Sequence, residues 1–277
     1  MIWYCDNMAK LGNHSNSRTF GNKKGYLMKT LVKFVLQRIL GFENYLYIFS
    51  LYITATLKNN RKEGDFLHFL SMLPDRSTVL DIGANIGVMT VHIARKLPGS
   101  QVFSFEPVPE NLNTLHRLLK HFKIQNVKVF EVALGNYEGT AEIILPEHKH
   151  VKFHGLSHIE GVEGSEGDSG TKYSVPMHRL DTMPELLSLT KPLSGIKIDV
   201  ENYEFKVLEG AISLITKYRP IIYAELWENQ NRFDCMKLLT DIGYRIFVLE
   251  NGVLVIFEAT KHKTQNFFFQ ISPELKG

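Results

Sequence analysis

Two periodicities of apolar positions alternate along most of this chain. Short apolar runs rich in β-branched residues fall at 79–82, 101–105, 127–132, 195–200 and 220–226, the pattern of buried strands. Between them, apolar residues recur every three or four positions. Leu112, Leu115, Leu119 and Phe122 share one face of a helix expected over 110–122, and further helices are expected over 88–97, 204–218 and 232–242. The rhythm breaks once, where two strand-like runs at 140–145 and 173–178 flank a polar loop. Gly243 suits a helix C-cap. Strands at 244–249 and 253–257 then flank Asn251-Gly252, a strong hairpin signal. The pattern predicts an α/β fold with a doubly wound, mostly parallel sheet and an antiparallel C-terminal hairpin.

The N-terminal quarter reads differently. Residues 1–27 are rich in Asn, Ser, Gly and Lys and predict a disordered leader, with Met28 as a candidate natural start. From Met28 the chain superficially resembles a signal peptide. Lys33 and Arg38 interrupt its apolar core, and no small-residue cleavage site follows. Lys29, Lys33 and Gln37 instead lie opposite Leu31, Phe34, Val35 and Ile39, as in an amphipathic helix. The apolar run from Tyr45 to Leu57 is shorter than the roughly 18 residues of a membrane span and reads as a cap helix. The expected division is a leader (1–27), an N-terminal helical cap (28–75) and a ligand-binding body (76–277) with a mobile insertion at 146–173.

Net charge is +3, but residues 1–62 carry ten Lys/Arg against two acids and the rest of the chain is net acidic. A basic arm favours an anionic surface or an acidic docking face, so peripheral membrane contact through this segment is a candidate. Two distant cysteines supply neither a disulfide framework nor a metal site, which makes the cytoplasm the default location.

The candidate chemistry begins at Asp81-Ile82-Gly83-Ala84-Asn85-Ile86-Gly87, between an expected strand and an expected helix. A dinucleotide turn needs a second glycine where the backbone approaches a pyrophosphate. Asn85 carries a side chain in this turn. An acid before the turn and an amide within it suit a ligand bearing an ammonium and a carboxylate, and S-adenosylmethionine is such a ligand. Glu106 ends the second expected strand, 23 positions after Gly83, where an acid can accept from ribose hydroxyls. A solvated loop acid is the alternative at that position.

With these residues assembled, the chain resembles the FkbM family of S-adenosylmethionine-dependent methyltransferases. The resemblance covers roughly residues 65–250 and rests on VLDIGANIGVMT (79–90), FSFEPVPENLNTL (103–115), HRLDTM (178–183) and IKIDVENYEFKVLEGA (196–211) leading to RPIIYAEL (219–226). One departure is Asn202, where the family usually has glycine. Asparagine tolerates a left-handed backbone better than most residues. The resemblance implies the class I methyltransferase (Rossmann-like) fold and O-methylation of a small-molecule or carbohydrate-like hydroxyl. By position, Asp81, Gly83, Ala84, Asn85 and Gly87 would hold the methionine end, Glu106 the ribose, and Ala133 and Leu134 the adenine.

Ligands of open α/β sheets sit at the carboxyl ends of the strands. Asp199 and Glu201 are therefore candidate catalytic groups, with Glu225 a weaker one. Two close carboxylates raise one pKa and supply a usable base. They also suit a divalent cation, although none is expected. His148, His150, His154 and His158 lie in the insertion without cysteine partners or zinc spacing, so no metal site is expected there. A lid reading makes His154 a second candidate base. The rival readings are a non-catalytic S-adenosylmethionine-binding module and an NAD-dependent oxidoreductase. Nucleic acid is disfavoured as a partner, because no Asn-Pro-Pro-aromatic block for a flipped base is present. The acceptor and the oligomeric state stay open.

Overall fold

The computed structural model describes residues 32–33, 35–148, 151–152, 157–159, 161 and 170–271. The expected leader and His154 lie outside the described residues. Residues 35–40 are helical. Helices α1 (Phe42–Thr56) and α2 (Gly64–Met72) follow, before strand β1 (Thr78–Ile82). The βα alternation runs through α3 (Val88–Lys96), β2 (Gln101–Phe105), α4 (Pro109–His121) and β3 (Val127–Phe130). A second sheet then interrupts it, with β4 (Ala133–Leu134), β5 (Gly139–His148), β6 (Val151–Lys152), β7 (His158–Ile159) and β8 (Gly170–His178). The described part of the expected loop is therefore largely strand. Past the short α5 (Pro184–Leu187) come β9 (Leu193–Ile198), α6 (Glu204–Glu209), α7 (Ile212–Tyr218), β10 (Ile221–Glu225) and α8 (Gln230–Asp241). The chain closes with β11 (Tyr244–Glu250), β12 (Val253–Ile256) and β13 (Asn266–Ile271).

The main sheet has the order β12-β11-β13-β10-β9-β1-β2-β3. Strands β10, β9, β1, β2 and β3 are parallel. The expected hairpin β11–β12 is present and antiparallel. It does not lie directly against β10. Strand β13 sits between them, antiparallel to both. The sequence pattern gave no expectation of β13, because its Phe267–Phe269 run lacks alternation. All three phenylalanines are fully buried.

Alternation of side chains across the pleat builds two cores. Leu80, Ile82, Ile196, Ile198 and Ile222 face α6, α7 and α8. Val79, Val102, Tyr223 and Phe268 face α1, α2 and α3. The second face also carries a polar row. Ser104, Asp81, Lys197 and Tyr223 are successive register partners across four strands, and apolar Phe268 ends the row on β13. Burial of Asp81 and Lys197 is tolerated because each supplies the other's opposite charge. No helix among the described residues is long and apolar enough to cross a membrane.

Candidate active site

The turn after β1 is shaped by one glycine and one asparagine. Gly83 has φ +73°, and a Cβ there would lie 1.9 Å from the Asp199 carbonyl oxygen, so β1 and β9 approach each other closely only with glycine at this point. Asn85 has φ +50°. The backbone N–H groups of Gly83 and Ala84 both donate to the Phe105 carbonyl, at 3.1 and 3.0 Å. The turn after β1 is thereby pinned to the end of β2.

Glu106 completes that connection. It is buried, its Oε2 accepts from the Asn85 N–H at 2.8 Å, and its Oε1 accepts from the Val108 N–H at 2.9 Å and Asn111 Nδ2 at 3.1 Å. Burial pushes its carboxyl above the usual range, and these three donors oppose that shift. The side chain is fixed in place before any ligand arrives.

Asp81 lies one layer below. It is fully buried, its Oδ2 accepts from Thr90 Oγ1 at 2.6 Å, and Lys197 Nζ lies 3.4 Å from its Oδ1. Lys197 also donates to the Gly83 carbonyl at 2.8 Å and lies 3.7 Å from Asp199 Oδ2. Burial alone would lower the Lys197 ammonium. The Asp81 and Asp199 carboxylates outweigh that effect and hold it above its ordinary value. Lys197 is not among the sequence candidates, because the run 195–200 reads only as a buried strand. Its register pairing with Asp81 is the signal that would have found it.

The turn after β9 runs through Glu201 (φ +50°) and Asn202 (φ +69°). Asparagine at the departure position therefore adopts the left-handed conformation that glycine would give. Asn229 Nδ2 donates to Asn202 Oδ1 at 2.7 Å. Buried Glu204 accepts from the N–H groups of Val200 and Asn202, at 3.2 and 3.3 Å. Burial raises Glu204 to about 7.

One open cleft brings most of these groups together. Gly83, Asn85, Glu106, Ala133, Leu134, Asp199 and Glu201, all expected from sequence, line it. Asp81, Ala84 and Gly87 do not. Asp81 is committed to Thr90 and Lys197 as above. Ala84 is buried with its N–H on Phe105, and a Cβ on Gly87 would meet Leu115 Cγ at 2.9 Å, so Gly87 lets α3 pack on α4. Glu225 and His158 join the lining from β10 and from the second sheet. His158 pairs across β5 with Ile144. It is the histidine of the insertion that the described structure places in the cleft.

The far wall is acidic. Burial, then the Asp199 and Glu225 carboxylates, push Glu201 well above the ordinary range. Burial, then Asp199, raise Glu225 to about 8. Carboxyls held in this way become stronger bases than solvated ones. Among the described residues, no group of three or more His, Cys, Asp and Glu is arranged to hold a metal ion.

A family model described as the methyltransferase FkbM domain matches residues 81–267. Methyltransferase sdnD of Sordaria araneosa is 28% identical over 204 residues, covering 66% of this chain and 79% of its own. Methyltransferase 1 of Beauveria bassiana is 24% identical over 200 residues, covering 66% of this chain and 78% of its own. The crystal structure of methyltransferase FkbM from Methylobacillus flagellatus KT matches with a TM-score of 0.50 at 16% identity, over 88% of this chain and 60% of that one.

Proposed function

This chain belongs to the FkbM methyltransferase family, and from that premise we propose that it transfers the methyl group of S-adenosylmethionine to a hydroxyl oxygen of a small-molecule or glycan acceptor. It is a methyltransferase with the class I fold. The observation that carries the cofactor reading is the Glu106 carboxylate. Three N–H donors fix it beside the Asn85 turn, and it faces the same cleft as Asp199 and Glu201.

The residues fit such a cofactor. A carboxylate at the end of β2 accepts from ribose hydroxyls and repels a phosphorylated ribose. Val132, Ala133, Leu134 and Pro107 give the cleft an apolar end suited to an adenine ring. The turn at Gly83–Asn85 and the carboxylates of Asp199 and Glu201 suit the charged methionine end and the methyl. When bound, S-adenosylmethionine supplies an electrophilic methyl with its leaving group already in place.

The protein's share is then positioning and proton removal. Holding two reactants in line contributes roughly 7–11 kcal/mol, against about 10²–10⁴-fold for a base. Glu201, pushed toward a higher pKa, is the group we assign to take the hydroxyl proton, with Asp199 beside it orienting the acceptor oxygen. His158, Ile143 and Ile159 form the wall contributed by the second sheet, on which the acceptor would rest.

Isothermal titration with S-adenosylhomocysteine, with NAD as the control, tests the reading. Micromolar binding of the first alone is expected. A folded protein that binds neither, or only NAD, would overturn it.

A further inference from the structure

Helix α1 carries no charged residue between Glu43 and Lys58. Its inner stripe of Tyr45, Leu46, Ser50 and Thr54 is buried against the body, as a surface helix requires. Its outer stripe should then be polar, and it is not. Ile48 is 51% exposed and Tyr52 64%, one turn apart, with exposed Ala55 next along the line. The helical segment before it exposes Val35, Leu36 and Ile39. Of the eleven large apolar side chains exposed among the described residues, six fall within residues 32–52. A contiguous exposed apolar stripe on a surface helix marks a face that ordinarily meets a partner or a membrane.

The charges around this face indicate what covers it. Exposed Lys58, Arg61 and Lys62 follow directly on α1. Lys58 also lines a groove of about 410 Å³ with Arg95, Lys96, His92 and the apolar Leu67 and Leu70. His92 Nε2 lies 3.0 Å from the Thr54 carbonyl, which ties the groove to the last turn of α1. An apolar face with cations at its C-terminal end and in the adjoining groove, and with the single acid Glu43 at its other end, suits an interface with an anionic bilayer, where apolar side chains enter the acyl boundary and cations meet headgroup phosphates. A second copy of the chain would bring a rim of the same sign to the contact, which opposes association. At 15 residues, about 22 Å, α1 is too short to span a hydrocarbon core of about 30 Å.

We infer that the outer face of α1 and the adjoining Lys58–Arg95–Lys96 groove dock this protein on an anionic lipid bilayer, with α1 lying in the plane of the interface. The inference does not depend on the cofactor or acceptor assigned above.

Vesicle flotation of the full chain tests it, comparing phosphatidylcholine alone with phosphatidylcholine containing one quarter phosphatidylglycerol. Binding to the anionic vesicles alone is expected, weakening as salt rises. The variant Ile48→Glu/Tyr52→Glu should abolish flotation while keeping the native melting profile, because both sites are exposed. Lys58→Glu/Arg61→Glu/Lys62→Glu should weaken binding by roughly fivefold or more per site. Absence of flotation by the folded protein at low salt would overturn the inference. So would flotation that survives the Ile48→Glu/Tyr52→Glu change, or a dimer in light scattering that the same change converts to a monomer.

Discussion

The Glu106 carboxylate accepts the backbone N–H of Asn85 at 2.8 Å, so an acid at the end of β2 sets the shape of the turn after β1. The residue suited to a ribose also holds the loop suited to the methionine end. Glu106→Gln would aim an amide donor at one of its three present donors. A loss of about 1.5–3 kcal/mol in stability is expected, together with at least a tenfold loss of S-adenosylhomocysteine affinity. Chemical denaturation and calorimetry check the pair. Unchanged affinity in a destabilised protein would make Glu106 a purely structural residue.

Lys197 is the cation that balances Asp81 and Asp199. Lys197→Met leaves a fully buried carboxylate without its counter-charge, and a loss of about 3–5 kcal/mol is expected. Adding Asp81→Asn should recover part of that loss, since the second change removes the stranded charge. Urea unfolding of the single and double variants measures the coupling. Additive losses would show that the pair does not interact.

The acidic wall predicts a pH dependence with a definite sign. Glu225 and Glu204 are raised to about 8 and about 7, from an ordinary value of 4.5. The native state therefore binds these protons more tightly than the unfolded chain does. Their contribution to stability is complete below about pH 4.5 and is lost as pH rises through about 7 to 8. Glu225→Gln, which keeps the shape without the charge, should flatten the upper part of that decline in melting temperature. An equally steep decline in the variant would sink this assignment.

Asn202 stands at φ +69°, a backbone conformation that glycine adopts at no steric cost. Asn202→Gly relieves the backbone and loses the bond from Asn229, two effects of similar size, so stability should change by no more than about 1 kcal/mol. Asn202→Val is incompatible with the left-handed conformation and should cost about 1–3 kcal/mol. Thermal melts of both variants suffice, and equal effects would show that the backbone geometry does not matter there.

The parts of this molecule legible in the sequence are those fixed by local chemistry. The Gly83–Asn85 turn, Glu106 at a strand end and the Asn251–Gly252 hairpin each follow from residues within a few positions of one another. What the sequence hid depends on distant partners. Lys197 makes sense only beside Asp81, 116 positions earlier and its register neighbour. The expectation for Asp81 rested on its place before the turn and on resemblance, and neither reveals that its side chain points beneath the turn toward Thr90. Ala133 and Leu134 directly follow the expected third strand at 127–132, yet they pair with β8 in the second sheet. His158 was one of four histidines in a polar stretch, and only its pairing with β5 brings it to the cleft.

The placement of β13 bears on how the chain is made. Strands β11 and β12 leave the ribosome before residues 266–271, yet the strand that separates them from β10 is β13 itself. Until it arrives, β10 presents an open edge of unpaired backbone groups, and the buried row Phe267–Phe269 is missing from both cores. Open edges of this kind recruit other chains. The nascent protein therefore passes through a stage in which seven of the eight strands of its main sheet are synthesised and the interior strand β13 is not.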